Sequence, residues 1–293
     1  MGATALALVL CAALLHAAWN LGAKKAGGNH HFVLSSALGV SILWLPVAVY
    51  VGWDTLPGWS ALAWAMTFLS AILHLLYFNV LLAGYRASDL NIVYPVARGS
   101  GPAMSALVAV TLLGEHLGLG GALGLAGVVL GIFMMAAGPS FWKAGADATA
   151  RQRRRAGIRW GALTGLTIAG YTVSDGYSVK TLLLSPILLD YVGNLLRVPF
   201  MLPAVWRDRA GFMPALRAQW PYVLLMAVCS PLAYVLVLYA MQLAPLSRVA
   251  PARELSMLIA ALLGGKLLGE REQGWRLLGA ALIAGGVIAL SIS

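Results

Sequence analysis

Apolar runs of about twenty residues, separated by short polar stretches, recur along the whole chain. Twenty residues at 1.5 Å each cross the hydrocarbon core of a bilayer. Ten such runs fall at roughly 3–23, 32–52, 60–83, 90–113, 117–138, 159–179, 185–205, 219–242, 248–268 and 274–292. In lipid each backbone polar group needs a partner within the protein, so every run is expected to be a helix. Alternation in ~10-residue units, the sign of a membrane barrel, is absent. The pattern predicts an all-α polytopic membrane protein with ten transmembrane helices. The apolar run that follows Met1-Gly2-Ala3-Thr4 is expected to be a retained span, because no charged segment precedes it.

One stretch interrupts this regularity. Residues 91–115 are long enough to span a bilayer, yet they carry Arg98 together with Pro95, Gly99, Gly101 and Pro102, and end in Leu113-Gly114-Glu115. The same features return 155 residues later, where Arg253 follows Pro251 and Leu268-Gly269-Glu270 closes the run. Between Val96 and Gly131, twelve of 36 positions match their partners at that offset. Five helices in each block place the second block in the opposite orientation. The chain is therefore expected to form two inverted five-helix repeats, 1–138 and 159–293, joined by a basic cytoplasmic linker at 139–158.

Charge sets the orientation. Fifteen of the 20 Lys and Arg fall in alternate loops, led by the linker with Lys143, Arg151, Arg153, Arg154 and Arg155. The other loops hold only Lys180 and Arg248. The linker is thus expected in the cytoplasm and both termini outside.

Polar residues inside the runs fall on single helical faces. His16, Trp19 and Asn20 share one face of the first helix, and Tyr171 and Asp175 one face of the sixth. His74 and Tyr77 lie on the third, Tyr94 and Arg98 on the fourth, Tyr234 on the eighth, and Arg253 and Glu254 on the ninth. A charge at the bilayer centre costs roughly 2.5–3.5 kcal/mol on insertion scales. Such groups turn inward, to a partner or to a watery cavity. Asp190, Asn194 and Arg197 fit a bridge within one helix or to a neighbour, Arg253 fits either a cavity or a snorkelling position, and Glu115 and Glu270 fit capping of the helix that follows each. Pro95, Gly99, Gly101, Pro102 and Pro251 are candidate hinges, with Arg253 beside them at a gate. Arg98 and Arg253 are expected toward opposite mouths of the cavity.

Composition excludes several classes. The chain is 60% hydrophobic and 10% charged, against about 25% charged in soluble domains. A net charge of +10 is explained by loop topology and not by nucleic acid. Cys11 and Cys229 have no CxxC partner, and no GxxxxGK[ST] or HExxH sequence occurs. No catalytic residue, cofactor or metal is expected.

Two blocks of five helices, a proline in helices four and nine, LeuGlyGlu at the ends of both, and the glycine-rich helices that follow resemble the drug/metabolite transporter superfamily of EamA type. The Trp19-Asn20 to Lys25 segment is similar to that family's first helix. Size and aromatic content resemble the amino-acid exporters, including the YddG-type aromatic amino-acid exporters. The resemblance implies a central cavity lined by helices one, three, four, six, eight and nine, and alternating access. The expected function is export of small metabolites, foremost amino acids. Arg98 would hold a carboxylate, the tyrosines and Trp19 a side chain, and Asp175, His16 or His74 an amine or a coupling proton. The alternatives are a drug, cation or nucleotide-sugar carrier of the same superfamily, an intramembrane enzyme and a membrane scaffold.

Overall fold

The computed structural model describes residues 1–27, 29–137, 148–259 and 273–293. Among them there is no strand. The helices are α1 (Ala3–Ala26), α2 (His30–Leu43), α3 (Leu45–Gly52), α4 (Ala61–Ala87), α5 (Leu90–Thr111), α6 (Leu119–Ala137), α7 (Ala148–Lys180), α8 (Pro186–Arg207), α9 (Arg209–Leu243) and α10 (Leu246–Ala252), with a last helix, α11 (Gln273–Ile292). Leu268, Gly269, Glu270 and Lys143 lie outside the described residues.

Local chemistry sets several of these boundaries. The Asn29 side chain accepts the Phe32 N–H at 2.9 Å and starts α2. Ser60 does the same for α4 through Ala63 N–H at 3.2 Å. Each removes one of the four orphan donors of a helix start. The run expected as one helix over 32–52 bends by 49° at Trp44. Pro46, in the first turn of α3, supplies the reason, since its ring excludes the preceding turn from the helix.

Three further differences from the sequence reading have physical causes. The α7 helix begins at Ala148, so the second part of the expected linker is helical and carries Arg151 to Arg155 on its first turns. The α9 helix starts at Arg209, with Asp208 as the sole residue between α8 and α9. The third concerns α5, which runs unbroken through Pro95 and Pro102. It is clamped on two sides: a Cβ on Gly99 would meet the Phe133 ring of α6 at 2.8 Å, and one on Gly101 would meet Ile168 of α7 at 2.7 Å. Neighbouring helices that pack this closely let a membrane helix run on through proline. The break occurs instead after Pro251, where Arg253 and Glu254 form a turn before helix resumes at 255–259.

The usual polarity of a globular protein is inverted. Asp175, Ser178, Thr164 and Ser247 are wholly buried, and Glu254 is 1% exposed. Ile42, Leu107, Leu112, Leu130, Phe200 and Ile288 face outward. Surface leucine and isoleucine on this scale suits lipid and not water. By length and composition α1, α4, α8 and α9 qualify as membrane spans, and the bent α2–α3 pair makes a fifth. The chain is a multi-pass membrane protein.

The strongest packing joins α6 to α11, α5 to α7, α1 to α9 and α4 to α7. The α6–α11 seam rests on glycine. A Cβ on Gly131 would sit 2.5 Å from Gly279 O, and one on Gly124 would sit 2.7 Å from Gly286 O. The two backbones touch, as small residues allow in membranes.

Candidate functional site

The charged and aromatic groups of the spans converge where α4, α5, α7 and α9 meet the turn after α10. Arg98 lies near the middle of α5 and is one-fifth exposed. Its Nη2 stands 2.8 Å from Glu254 Oε2, and Arg253 Nε stands 3.8 Å from Glu254 Oε1. Both guanidinium groups thus meet one carboxylate. Placement of the two arginines at opposite mouths is corrected: the turn that Pro251 ends presents residues 253 and 254 together, and α10 packs on α5. Neither Glu254 oxygen accepts an aligned hydrogen bond, so Arg98 and Glu254 form an ionic contact that leaves acceptor capacity unused.

Rings surround this pair. The Arg253 guanidinium lies 5.9 Å from the centre of the Tyr171 ring, within cation–π range. His74 stacks on Tyr171 with centroids 4.1 Å apart, and Tyr234 meets His74 edge-on at 5.6 Å. Tyr77 meets Tyr171 edge-on at 5.9 Å. The Tyr234 hydroxyl donates to Asp175 Oδ2, while Asp175 Oδ1 is buried without a partner. His74 Nδ1 donates to the Ser70 carbonyl at 2.9 Å. A carbonyl only accepts, so the proton sits on Nδ1 and Nε2 is the acceptor of the neutral ring.

A small cavity of ≈ 10 Å³ opens between Ser70, His74, Asp175, Asp190, Arg197 and Tyr234, about the space of one water. Ser70, Asp190 and Arg197 were not singled out by sequence for the cavity. The i, i+4 spacing of Ser70 and His74 on α4 was the available signal. Of the three residues read as a bridge, Asn194 bonds to a neighbouring helix, donating to Ala37 O at 3.0 Å and to Ser41 Oγ at 3.1 Å on α2, while Arg197 Nε donates to Gly193 O at 3.1 Å on its own helix.

Two other expected cavity residues border this cluster without a hydrogen bond to it: His16 lies within electrostatic reach of Arg253 and Arg98, and Tyr94 of Arg98 and Glu254. His16 Nδ1 donates to Ala12 O at 3.0 Å, and its ring lies 5.9 Å from Trp19. Asn20 is exposed and donates back to His16 O at 2.6 Å. Tyr94 is half-buried against the main apolar core.

Glu115 sits at the far end of α5. Gly114 there has φ +69°, the left-handed conformation that glycine adopts without strain. The turn lets Glu115 N–H reach Ala109 O at 3.0 Å and aims the carboxylate away from α6. It accepts Leu246 N–H and Ser247 N–H, both at 2.8 Å, at the start of α10, and the Lys180 ammonium stands 3.3 Å away at the end of α7. Capping of the following helix is therefore corrected: Glu115 caps a helix 131 residues later. Burial raises its carboxyl, but the two N–H donors, the Ser247 hydroxyl and the Lys180 charge outweigh that and hold it below the usual glutamate range.

An ionic core, ring-lined and largely buried inside an apolar-faced helical shell, is the arrangement of a membrane protein and not of a soluble one. Residues 155–292 match the model of the EamA-like transporter family. Its fold is similar to that of a solved chain titled only "Crystal structure of protein". That likeness has a TM-score of 0.74 at 14% identity and covers 100% of this chain and 98% of the other. No curated protein matches the sequence significantly.

Proposed function

We propose that the protein exports small zwitterionic metabolites, foremost amino acids with apolar or aromatic side chains, by alternating access between two inverted five-helix halves. The observation that carries this reading is the charge balance of the buried cluster. Arg98 and Arg253 face Glu254 and Asp175 within one ring-lined space. Two cations offset two carboxylates, so a net-neutral ligand enters at the least electrostatic cost. An amino acid supplies one charge of each sign. Its carboxylate replaces Glu254 on Arg98, and its ammonium takes the freed Glu254 or the unpartnered Asp175 Oδ1. The rings of Tyr77, Tyr171 and Tyr234 hold its side chain. A cationic drug would strand an arginine, and a nucleotide sugar would strand a carboxylate.

Packing supports the two-halves reading. The α1–α9 contact corresponds, under the 155-residue shift, to α7–α4, and α2–α9 corresponds to α8–α4. Under this reading the basic end of α1 and the basic start of α7 face the cytoplasm of a bacterial inner membrane, both termini lie outside, and Asp175 or His74 carries a coupling proton. The work is binding and movement, without covalent chemistry.

Counterflow in proteoliposomes, with a panel of radiolabelled solutes and with or without a pH gradient, tests this. Amino acids are expected to exchange, and the gradient is expected to alter the net flux. Exchange of cations or sugar nucleotides with none of any amino acid would sink the substrate class.

A further inference from the structure

A second cluster of ligating side chains lies well away from the ionic core, where the start of α2 meets the single-residue junction of α8 and α9. His30 Nε2 and His31 Nε2 stand 3.8 and 3.6 Å from Asp208 Oδ2. All three ligating atoms lie within 4.8 Å of one another. The sequence reading expected no metal, because Cys11 and Cys229 lack a CxxC partner and no HExxH sequence occurs.

We propose that His30, His31 and Asp208 bind one divalent transition-metal ion, of which zinc is the type. Two imidazoles and one carboxylate are the donors such ions prefer, whereas calcium and magnesium take oxygen alone. Around tetrahedral zinc, with Zn–N and Zn–O near 2.1 Å, neighbouring donors lie roughly 3.4 Å apart. The two imidazole–carboxylate separations exceed that by a few tenths of an ångström and the two imidazole nitrogens lie within 4.8 Å of each other, distances that side-chain rotation closes.

The surroundings are built for close approach. His31 is 4% exposed and its ring meets Phe212 edge-on at 6.1 Å. At Gly211 a Cβ would stand 2.9 Å from both Asp208 Oδ2 and His31 Cε1. Any larger residue there would push the carboxylate off the histidine. His30 and Asp208 are half-exposed, which leaves a path for the ion and a position for water beside it.

Binding needs one rearrangement, and the structure provides for it. His31 Nε2 now donates to Asp208 O at 2.9 Å, so its proton must move to Nδ1 before Nε2 can ligate. The released carbonyl keeps a second donor, Gly211 N–H at 3.2 Å. No buried acceptor is stranded. The metal would tie α2, in the first half of the chain, to the hinge between α8 and α9 in the second.

The test uses the full-length protein in detergent micelles, with any polyhistidine tag removed. Zinc is titrated against a chromogenic chelator, and cobalt serves as a visible probe of nitrogen ligation. One zinc per chain and cobalt d–d bands are expected, with zinc raising the melting temperature. His30→Ala, at a half-exposed ring, and Asp208→Asn should each weaken binding at least ~10-fold and abolish the thermal shift. His116→Ala, on an exposed loop, should bind as the parent does. Absence of saturable binding by the parent, or equal binding by His30→Ala and Asp208→Asn, would overturn the proposal.

Discussion

Replacing Glu115 by alanine removes a carboxylate that joins three helices. Its two backbone partners are buried: Ser247 is 0% and Leu246 2% exposed, so water cannot take over their N–H groups. A hydrogen bond to a charged group contributes about 1.5–3 kcal/mol. Two of them set an upper range near 3–6 kcal/mol, and relaxation of the α10 start lowers the expected loss to about 3 kcal/mol. Lys180 is 42% exposed, so its screened charge contributes at most about 0.5 kcal/mol. Glu115→Gln retains one carbonyl acceptor and should lose about half as much as alanine, and Lys180→Met should change little. Unfolding in mixed micelles, followed by tryptophan fluorescence, measures all three. The pH dependence provides a second axis. The folded carboxyl lies below its ordinary value, so its contribution is full above about pH 4.3 and disappears as the pH falls through the folded value. Glu115→Gln should flatten that acid limb. A loss below about 0.5 kcal/mol for alanine, or an unchanged acid limb in the glutamine variant, would refute the capping argument.

Three other outcomes are expected. Arg98→Met takes from Glu254 the nearer of its two cations and should destabilise by up to about 3–5 kcal/mol; the double variant with Glu254→Met should recover much of that stability, while neither variant exchanges amino acids in counterflow. Asp175→Asn should remove any response of net flux to a pH gradient, and Tyr234→Phe should weaken exchange about tenfold, since it deletes the hydroxyl that donates to Asp175. Gly131→Leu forces a side chain into the Gly279 carbonyl and should cost at least about 2 kcal/mol, read as a lower melting temperature.

The helices were legible in the sequence because lipid leaves a chain few choices. The polar stripes on α4, α7 and α9 were legible for the same reason, as each buried charge must find a partner. Partner identity was not. Glu254 lies 156 residues from Arg98 and one from Arg253, and no local spacing says which arginine it meets. Pro95 and Pro102 misled because proline propensity is local, whereas the grip of Phe133 and Ile168 on α5 is tertiary. LeuGlyGlu at 113–115 was recognisable as a motif, but its action was hidden: the glycine turns the chain and the glutamate reaches a helix of the other half.

The glycine seam between α6 and α11 has a kinematic consequence. Helices whose backbones meet at Gly124, Gly131, Gly279 and Gly286, with Val128, Ile283 and Leu290 wedged beside them, have little side-chain cushion to slide on. They move as a single rod, so any rocking of the remaining helices takes place around them. Spin labels on the outward faces of α6 and α11, at Leu123 and Ile288, would then keep one separation with and without any solute. That pair is an internal ruler against which every other distance change in this protein can be read.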